Sequence, residues 1–372
     1  MLQSGLNQGR SMRRPKFRWG IVGTAEIARK NWQAIRHSGN GSVVAVASRS
    51  LARSQKFIAQ CQAAVPFPTA PRALGSYEEL IEAPDVDGVY IPLPTGLRKP
   101  WVLRAAAAGK HVVCEKPCAA SLADLVEMTE ACRRHKVQFM DGVMFMHSRR
   151  LGLVRRALER PRTVGAVRRI TSAFSFQAAE QFFATNIRAR SEYEPFGCLG
   201  DLGWYCIQFT LWALDWQMPR EVRGRLLAER RHAQSSAPVP TEFAGELLFG
   251  TGVSAGFYCS FVTATEQWVQ ITGSLGNLSM PDFVLPFLGT EVVFETLNPV
   301  YKVRGCDFIM RPNLRRWAVN EHSNSHPSAQ EANLFRDFAE QAQSGRLDPA
   351  WPQRALATQQ VMEACLASAK PR

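Results

Sequence analysis

Phe17-Arg-Trp-Gly-Ile-Val-Gly23-Thr-Ala25-Glu-Ile-Ala28 predicts a buried strand, a tight glycine turn and the start of a helix. That order presents backbone N–H groups to a pyrophosphate. The turn reads G-x-A-x-x-A, so Ala25 stands where a dinucleotide-binding turn usually has its second glycine. An ordinary strand-to-helix turn has the same pattern, and by itself the motif is weak. We expect this turn to supply part of a cofactor site, formed by Gly23, Thr24, Ala25, Glu26 and Ile27.

The next apolar strand, Ser42 to Ser50, ends where a residue that contacts the cofactor ribose belongs, roughly 20 residues beyond the glycine turn. A carboxylate at that place favours NAD, because it accepts hydrogen bonds from the 2′-hydroxyl and repels a 2′-phosphate. Ser48 and Arg49 stand there instead, and a forked cation suits a phosphate. Arg53, four residues on, can support the same group. We therefore predict NADP, with NAD less favoured; the other interpretation is that Arg49 is a solvated surface arginine.

Two further strands complete an alternating pattern of strands and helices. Val86 to Ile91 leads into the loop Pro92-Leu-Pro-Thr-Gly96, and Gly109-Lys-His-Val-Val-Cys-Glu-Lys-Pro117 delivers Glu-Lys-Pro to the end of a strand. Such alternation predicts a doubly wound parallel sheet, whose ligands bind at the carboxyl ends of the strands. The expected cofactor contacts at these ends are Leu93, Pro94, Thr95, Glu115 and Lys116.

Four motifs together resemble the glucose–fructose oxidoreductase/inositol dehydrogenase family, known as Gfo/Idh/MocA. They are the glycine turn (residues 20–28), the Ile-Pro-Leu-Pro-Thr-Gly loop (91–96), Cys-Glu-Lys-Pro (114–117) and Gly-Cys-Leu-Gly-Asp-Leu-Gly-Trp-Tyr (197–205). The likeness covers nearly the whole chain. It is strongest to the branch of dimeric dihydrodiol dehydrogenases and NADP-dependent D-xylose dehydrogenases. The resemblance implies an NAD(P)-dependent oxidoreductase acting on CH–OH groups.

The resemblance also implies the catalytic residues. It places Lys116 beside the nicotinamide and within reach of Tyr205, which stands where many members have histidine. A tyrosine with a pKa near ~10 needs a nearby cation to act as a base at neutral pH. Asp201 lies four residues before Tyr205, so a helix from Asp201 to Leu214 would direct both side chains into one crevice. The other interpretations are that Tyr205 is a core aromatic residue and that Asp201 is a helix N-cap.

Downstream of Val167, alternating segments predict half-buried strands, and the resemblance implies an α+β domain with a large, open, mostly antiparallel sheet. We predict four segments: a flexible extension (1–15), an NADP-binding Rossmann domain (16–146), a substrate-binding and oligomerisation domain (147–350), and a C-terminal helix returning to the Rossmann domain (351–372). Asn186, Arg188 and His147 are the candidate substrate contacts. Arg188 as a solvated residue and His147 as a structural residue are equally open.

Composition limits the other classes of function. The chain has 372 residues and a formal charge of +13, but its arginines are dispersed and form no nucleic-acid motif. Nine scattered cysteines without zinc-type spacing predict reduced thiols, no metal site and a cytoplasmic enzyme. No apolar run is long enough for a membrane span. Arg13-Arg14 suggests a twin-arginine signal but lacks the apolar segment that should follow, and Met12 is a second possible start.

The predicted function is NADP-dependent hydride transfer involving an aldose or related polyol, with Tyr205 as acid/base assisted by Lys116. The partners expected are a small-molecule substrate and further copies of the chain, as a dimer or tetramer. Three other functions stay open at this point: a trans-dihydrodiol dehydrogenase, a redox-neutral sugar lyase or hydrolase that uses bound cofactor, and a non-catalytic NAD(P)-sensing regulator.

Overall fold

The computed structural model describes residues 15–369. Residues 1–14, which include Met12 and Arg13-Arg14, lie outside the described part, and so does nearly all of the predicted extension. The first sheet has six parallel strands in the order β3-β2-β1-β4-β5-β6. Its strands are β1 (Phe17–Val22), β2 (Gly41–Ala47), β3 (Arg72–Leu74), β4 (Gly88–Ile91), β5 (His111–Cys114) and β6 (Phe139–Asp141). This is the doubly wound arrangement that the sequence predicts.

Helices alternate with these strands. They are α1 (Glu26–Ser38), α2 (Leu51–Ala64), α3 (Tyr77–Glu82), α4 (Arg98–Ala107) and α5 (Leu122–Arg134). Strand β1 forms because its apolar residues are buried on both faces, as in most parallel sheets. Strand β3 and helix α3 were not predicted, since Arg72-Ala-Leu74 is too short to show any periodicity. The order reverses at β1, which puts the ligand crevice at the carboxyl ends of β1 and β4.

The second sheet has eight strands in the order β16-β13-β12-β11-β7-β10-β9-β8. Its strands are β7 (Val167–Gln177), β8 (Glu221–Arg230), β9 (Val239–Leu248), β10 (Ser254–Ser260), β11 (Val262–Gly273), β12 (Asn277–Met280), β13 (Val292–Leu297) and β16 (Leu314–Val319). Among the pairings that the described residues make in this second sheet, only that of β7 with β10 is parallel. The α/β class and the mostly antiparallel second sheet are confirmed.

The remaining elements connect and cover the two sheets. They are α6 (Arg149–Glu159), α7 (Glu180–Thr185), α8 (Trp204–Ala213), the hairpin β14 (Val300–Arg304) and β15 (Asp307–Arg311), α9 (Gln330–Gln343) and α10 (Ala350–Ser368). Helix α9 packs on α1 of the first sheet, and α10 contacts β6, α5, α8 and β8. The chain therefore returns to the first sheet with both C-terminal helices. The domain boundaries given above stay a prediction.

Candidate active site

A cavity of about 1060 Å3 opens at the carboxyl edge of the first sheet, where the second sheet and its helices face it. Most of the predicted site residues line this cavity. They are Gly23, Thr24, Ala25, Glu26, Ile27, Ser48, Arg53, Leu93, Pro94, Glu115, Lys116, Asn186, Arg188, Asp201 and Tyr205. Residues from segments up to about 180 positions apart in the sequence, such as Gly23 and Tyr205, thus share one space.

The glycine turn between β1 and α1 supplies one end of the cavity. Gly23 has a φ of +111°, and a Cβ at this position would lie 2.9 Å from Leu93 Cδ2. Its N–H donates to the carbonyl of Ala47 at 2.8 Å, which ties the turn to the end of β2. Within residues 15–369 no side chain caps the first turn of α1, where Ala25 is the N-cap. The exposed N–H groups of that turn fit a pyrophosphate.

The end of β2 carries the predicted ribose and 2′-phosphate contacts. Ser48 is buried, and its hydroxyl donates to the carbonyl of Ser50 at 2.7 Å while accepting from Ser54 Oγ at 3.1 Å. Arg53 lines the cavity, whereas Arg49 is exposed outside the lining. Burial raises the pKa of Tyr77, and the guanidinium groups of Arg49 and Arg53 offset this rise only in part. Arg53 is therefore the better placed of the two arginines for an adenosine 2′-phosphate.

Lys116, Asp201 and Arg188 form a chain of ion pairs at the other end of the cavity. Lys116 Nζ donates to Asp201 Oδ1 at 2.7 Å and to the Asp201 carbonyl at 2.6 Å. Arg188 Nε lies 2.8 Å from the second carboxylate oxygen, Oδ2. Burial opposes ionisation of Asp201, but the two cations outweigh it and hold the pKa of Asp201 below its usual range. Asp201 in turn raises the pKa of Lys116 against the effect of burial, so both groups stay charged.

Tyr205 lies beside this chain of charges. Lys116 Nζ is 4.7 Å from the centre of the Tyr205 ring. Burial raises the pKa of Tyr205, and the Lys116 ammonium offsets this only in part. The predicted continuous helix from Asp201 is corrected here: Leu199–Gly203 is a wider, π-helical turn, and α8 begins at Trp204. Such turns are frequent at functional sites.

Below the cavity floor, Glu115 is held by two buried residues. Tyr90 donates its hydroxyl to Glu115 Oε1 at 2.6 Å, and Asn31 Nδ2 donates to the Tyr90 oxygen at 2.5 Å. The Tyr90 side chain is fully buried, and burial raises its pKa well above the usual value. The Tyr90 hydroxyl therefore stays protonated and fixes the Glu115 carboxyl group at the cavity edge.

The wall on the side of the second sheet is largely apolar. Phe174 and Phe176 come from β7, Ile187 from the turn after α7, and Val284 and Leu285 from the loop after β12. Asn186 also lines this side, but its Oδ1 accepts the backbone N–H of Arg188 at 3.0 Å and so holds the turn. Ser175, Thr185 and Thr265 are further polar residues in the lining of this side, and the rest of the wall offers apolar contacts.

Two more predicted residues lie outside the cavity lining. Thr95 is buried, and its N–H and hydroxyl donate to the Glu194 carboxylate at 3.1 and 2.5 Å. Thr95 thus positions Glu194, which does line the cavity. His147 faces away: its Nδ1 lies 2.7 Å from Asp337 Oδ2, and its ring packs on Trp351. The geometry at His147 matches the structural interpretation, because its partners come from α9 and α10.

Several lining residues were not predicted from the sequence. Tyr77 and Arg98 belong to the first half of the chain, and Glu194 and Thr265 belong to the second. Arg98 carries a signal that could have been used, since it directly follows the Pro-Leu-Pro-Thr-Gly-Leu loop; its guanidinium donates to the carbonyls of Leu93 and Glu115 at 2.6 and 2.7 Å. The others lie in segments without any motif.

Comparison with known proteins identifies the family. The model described as "Oxidoreductase family, NAD-binding Rossmann fold" matches residues 17–143, and the "GFO/IDH/MocA C-terminal domain" matches residues 154–279. The chain belongs to the Gfo/Idh/MocA family. It is therefore an NAD(P)-dependent oxidoreductase of this family, and the predicted family and fold are confirmed.

Three relatives show the breadth of named activities. A dTDP-3,4-didehydro-2,6-dideoxy-alpha-D-glucose 3-reductase of Streptomyces violaceoruber is 31% identical over 79% of this chain and 81% of its own length. D-xylose 1-dehydrogenase (NADP(+)) 2 of Haloferax volcanii is 32% identical over 75% and 80%. Trans-1,2-dihydrobenzene-1,2-diol dehydrogenase of Mus musculus is 30% identical over 74% and 77%.

Solved structures share the fold along most of the chain. A 3-ketoreductase from Actinomadura kijaniata in complex with NADP and TDP-benzene has a TM-score of 0.76 and 24% identity, covering 95% of this chain and 98% of that one. An aldose-aldose oxidoreductase from Caulobacter crescentus has a TM-score of 0.75 and 21% identity, covering 95% and 97%.

Residues 15–369 offer neither a metal cluster nor a membrane-spanning helix. That part of the chain contains no group of three or more His, Cys, Asp or Glu residues arranged to hold a metal ion. None of its helices combines the length and the apolar character that crossing a membrane requires.

Proposed function

We propose that this enzyme transfers hydride between NADP and a CH–OH or carbonyl carbon of a sugar or related cyclic diol, with Tyr205 as the proton-transferring residue. The observation that carries the proposal is the chain of ion pairs Arg188–Asp201–Lys116 beside Tyr205, with Lys116 and Asp201 largely buried, at the edge where the family's cofactor site lies. The cofactor, when bound, would supply the hydride as NADPH or accept it as NADP+. The protein's own residues handle the proton and the charge on the reacting oxygen.

The raised pKa of Tyr205 favours the reductive direction at neutral pH. A neutral phenol can donate its proton to a carbonyl oxygen as that oxygen gains charge. The Lys116 ammonium, kept charged by Asp201, stabilises the negative charge that develops on the same oxygen. In the oxidative direction Tyr205 must first lose its proton, which burial and the nearby Asp201 carboxylate oppose. Oxidation should therefore need alkaline pH or a substrate whose hydroxyl is unusually acidic.

NADP is the proposed cofactor because of Arg53 and Ser48. No carboxylate follows β2 at residues 48–50, and the cavity-facing cation there is Arg53. The β2–α2 turn that carries Ser48 is fixed by its own hydrogen bonds, so it presents a defined surface to the ribose. The named NADP use of the Haloferax volcanii relative supports this assignment.

The substrate proposed first is an aldose, supported by the D-xylose dehydrogenase relative. A trans-dihydrodiol is a second candidate, because Phe174, Phe176 and Leu285 form an apolar wall opposite the charged residues. An aldose has hydroxyl groups around its ring, and those that faced this apolar wall would lack hydrogen-bond partners. A dihydrodiol has one polar and one apolar side, so its apolar side can contact the wall without that cost. The mouse dihydrodiol dehydrogenase relative supports this second candidate.

The experiment is an assay of the purified protein in both directions, with a panel of aldoses, inositols and trans-dihydrodiols plus NADP, and of the matching carbonyl compounds plus NADPH. Turnover that is lost in Tyr205→Phe would support the proposal and fix the substrate class. Absence of net turnover while NADPH still binds would reject it. A redox-neutral sugar reaction or a cofactor-sensing regulator would then be the function to test.

The oligomer is also a proposal. We infer a homodimer or homotetramer from the family, in a cytoplasmic setting, and sedimentation of the purified protein would test the assembly.

A further inference from the structure

A second cavity, of about 440 Å3, lies at the edge of the eight-stranded sheet. Arg160, Pro161, Arg162 and Thr163 follow α6, Thr296 and Asn298 lie at the end of β13, and Arg315 and Trp317 belong to β16. None of these residues lines the candidate active site. This second cavity, here called the arginine cavity, is therefore a separate site.

Three guanidinium groups line the arginine cavity without a carboxylate partner. Within residues 15–369, neither Arg160, Arg162 nor Arg315 lies within ion-pair distance of an Asp or Glu, and no carboxylate contributes to the lining. All three side chains are exposed, so water partly screens their repulsion, and an anion in the cavity would neutralise what remains of it. The next residue along β16 behaves differently, because Arg316 points to the other face of the strand and pairs with Glu291.

Trp317 fixes the positions of two of these cations. The Arg315 guanidinium carbon lies 3.9 Å from the centre of the Trp317 ring, and that of Arg160 lies 5.3 Å from it. Trp317 is itself immobilised, because it is buried, stacks on Phe294 with an angle of 7° between the rings, and donates its N–H to Thr296 Oγ1 at 2.9 Å. The cations are thus held in place before any ligand arrives, which lowers the entropy that binding costs.

The uncharged polar groups of the cavity also favour an anion. The Thr296 hydroxyl accepts from Trp317, so its own proton stays available to a ligand. Asn298 does not add a donor for a ligand, because its Nδ2 already donates to the carbonyls of Thr163 and Leu275 at 2.8 and 2.9 Å. A ligand in this cavity therefore meets hydrogen-bond donors, arranged as the planar forks that suit phosphate oxygens.

We propose that the arginine cavity binds a phosphate-bearing small molecule with two or three negative charges. Three unpaired cations match that charge, and the cavity is large enough for more than one phosphate group. Occupation would tie the segment after α6 to strands β13 and β16, which belong to distant parts of the chain.

Isothermal titration with inorganic pyrophosphate tests the proposal on the full chain, with saturating NADP present so that the cofactor site is filled. We expect binding to weaken by about tenfold or more in Arg315→Ala and in Arg160→Ala, because each loses a charge-assisted hydrogen bond. Arg316→Ala is the matched control, since it removes the same net charge from the opposite face of the strand and should bind as the wild type does.

Three results would overturn the proposal: no binding of pyrophosphate to the wild-type protein at millimolar concentration, an equal loss of binding in Arg316→Ala, or tighter binding of citrate than of pyrophosphate. Thermal unfolding of each variant shows whether it is folded. Arg315→Lys keeps the charge but removes the planar fork, and binding between that of the wild type and that of Arg315→Ala would support the geometry described here.

Discussion

The two ends of the active-site cavity are built from different kinds of groups. At the cofactor end, the glycine turn offers backbone N–H groups, the Ser48 hydroxyl is already bonded within its own turn, and Lys30 and Arg53 are cations in the lining. At the chemical end, Lys116 and Asp201 are charged side chains, 8% and 15% exposed. The cofactor end thus consists mainly of backbone and hydroxyl groups fixed within turns, and the chemical end consists of paired, largely buried charges.

The difference shows where a substitution should matter most. Removing an exposed cation at the cofactor end costs one contact, and water can solvate what remains. Removing one charge at the chemical end leaves another buried charge without a partner, which is far more costly. The comparison therefore predicts effects that decrease from Tyr205 and Asp201 toward Arg53.

The largest effect is expected for Tyr205→Phe. This change removes the proposed proton donor but keeps the ring that packs beside Lys116. General acid catalysis contributes about 10²- to 10⁴-fold, so kcat should fall by that factor. NADPH affinity, measured by fluorescence titration, should be unchanged. A parallel loss of NADPH binding would show that Tyr205 acts on cofactor binding and not on the proton.

The next effect is the loss of stability in Asp201→Asn. The buried ammonium of Lys116 would then lose its carboxylate, and so would the partly exposed guanidinium of Arg188. Breaking a buried pair costs about 3–5 kcal/mol, and urea unfolding should show a loss of this size. Asp337→Asn, which alters a half-exposed carboxylate paired with His147, is the control and should cost much less. Equal losses in the two variants would contradict the distinction drawn here.

Acid should weaken the same network in a defined pH range. The pKa of Asp201 is lowered by its partners, so its contribution to stability is complete above the ordinary Asp pKa of about 3.9. As the pH falls below that value, the unfolded chain takes up a proton that folded Asp201 resists, and stability declines. Wild-type protein should therefore lose more stability between about pH 4 and pH 2 than Asp201→Asn does. Urea unfolding at a series of pH values measures this difference.

A smaller effect is expected at the cofactor end. Arg53→Ala should weaken NADP binding by about tenfold and leave NAD binding nearly unchanged, because Arg53 lines the cavity and is the proposed contact of the 2′-phosphate. Arg49→Ala is the control, since Arg49 is exposed and outside the lining. If Arg49→Ala lost more NADP affinity than Arg53→Ala, the 2′-phosphate contact would be Arg49, as the sequence first suggested.

The smallest expected effect is that of pH on the rate of carbonyl reduction. Because the pKa of Tyr205 is raised, the phenol stays protonated across the neutral range and the rate of carbonyl reduction should vary by less than about twofold between pH 6 and pH 8. Above the Tyr205 pKa the rate should fall as the proton is lost. A decline already at neutral pH would show that Lys116 lowers the Tyr205 pKa more strongly than burial raises it.

The sequence predicts those parts of the site that depend on local structure. The strand, turn and helix around Gly23 follow from residues within one short segment, and so does the position of Lys116 after β5. Contacts between distant segments could not be predicted. Glu194 is held by Thr95, a residue 99 positions away, and no pattern within either segment predicts this hydrogen bond. The wider turn at Leu199–Gly203 was missed because its apolar spacing also suits an ordinary helix.

The ion pair between Lys116 and Asp201 limits how this fold can be recombined. Lys116 follows the first sheet, and Asp201 leads into a helix that packs under the second. A chimaera that joined this Rossmann domain to the second domain of a relative would inherit a buried ammonium group, and it would need a carboxylate at the place of Asp201 to neutralise it. Phe174, Phe176 and Leu285 line the cavity without taking part in this ion pair, so they can be substituted independently of it, whereas Asp201 and Lys116 have to be kept together.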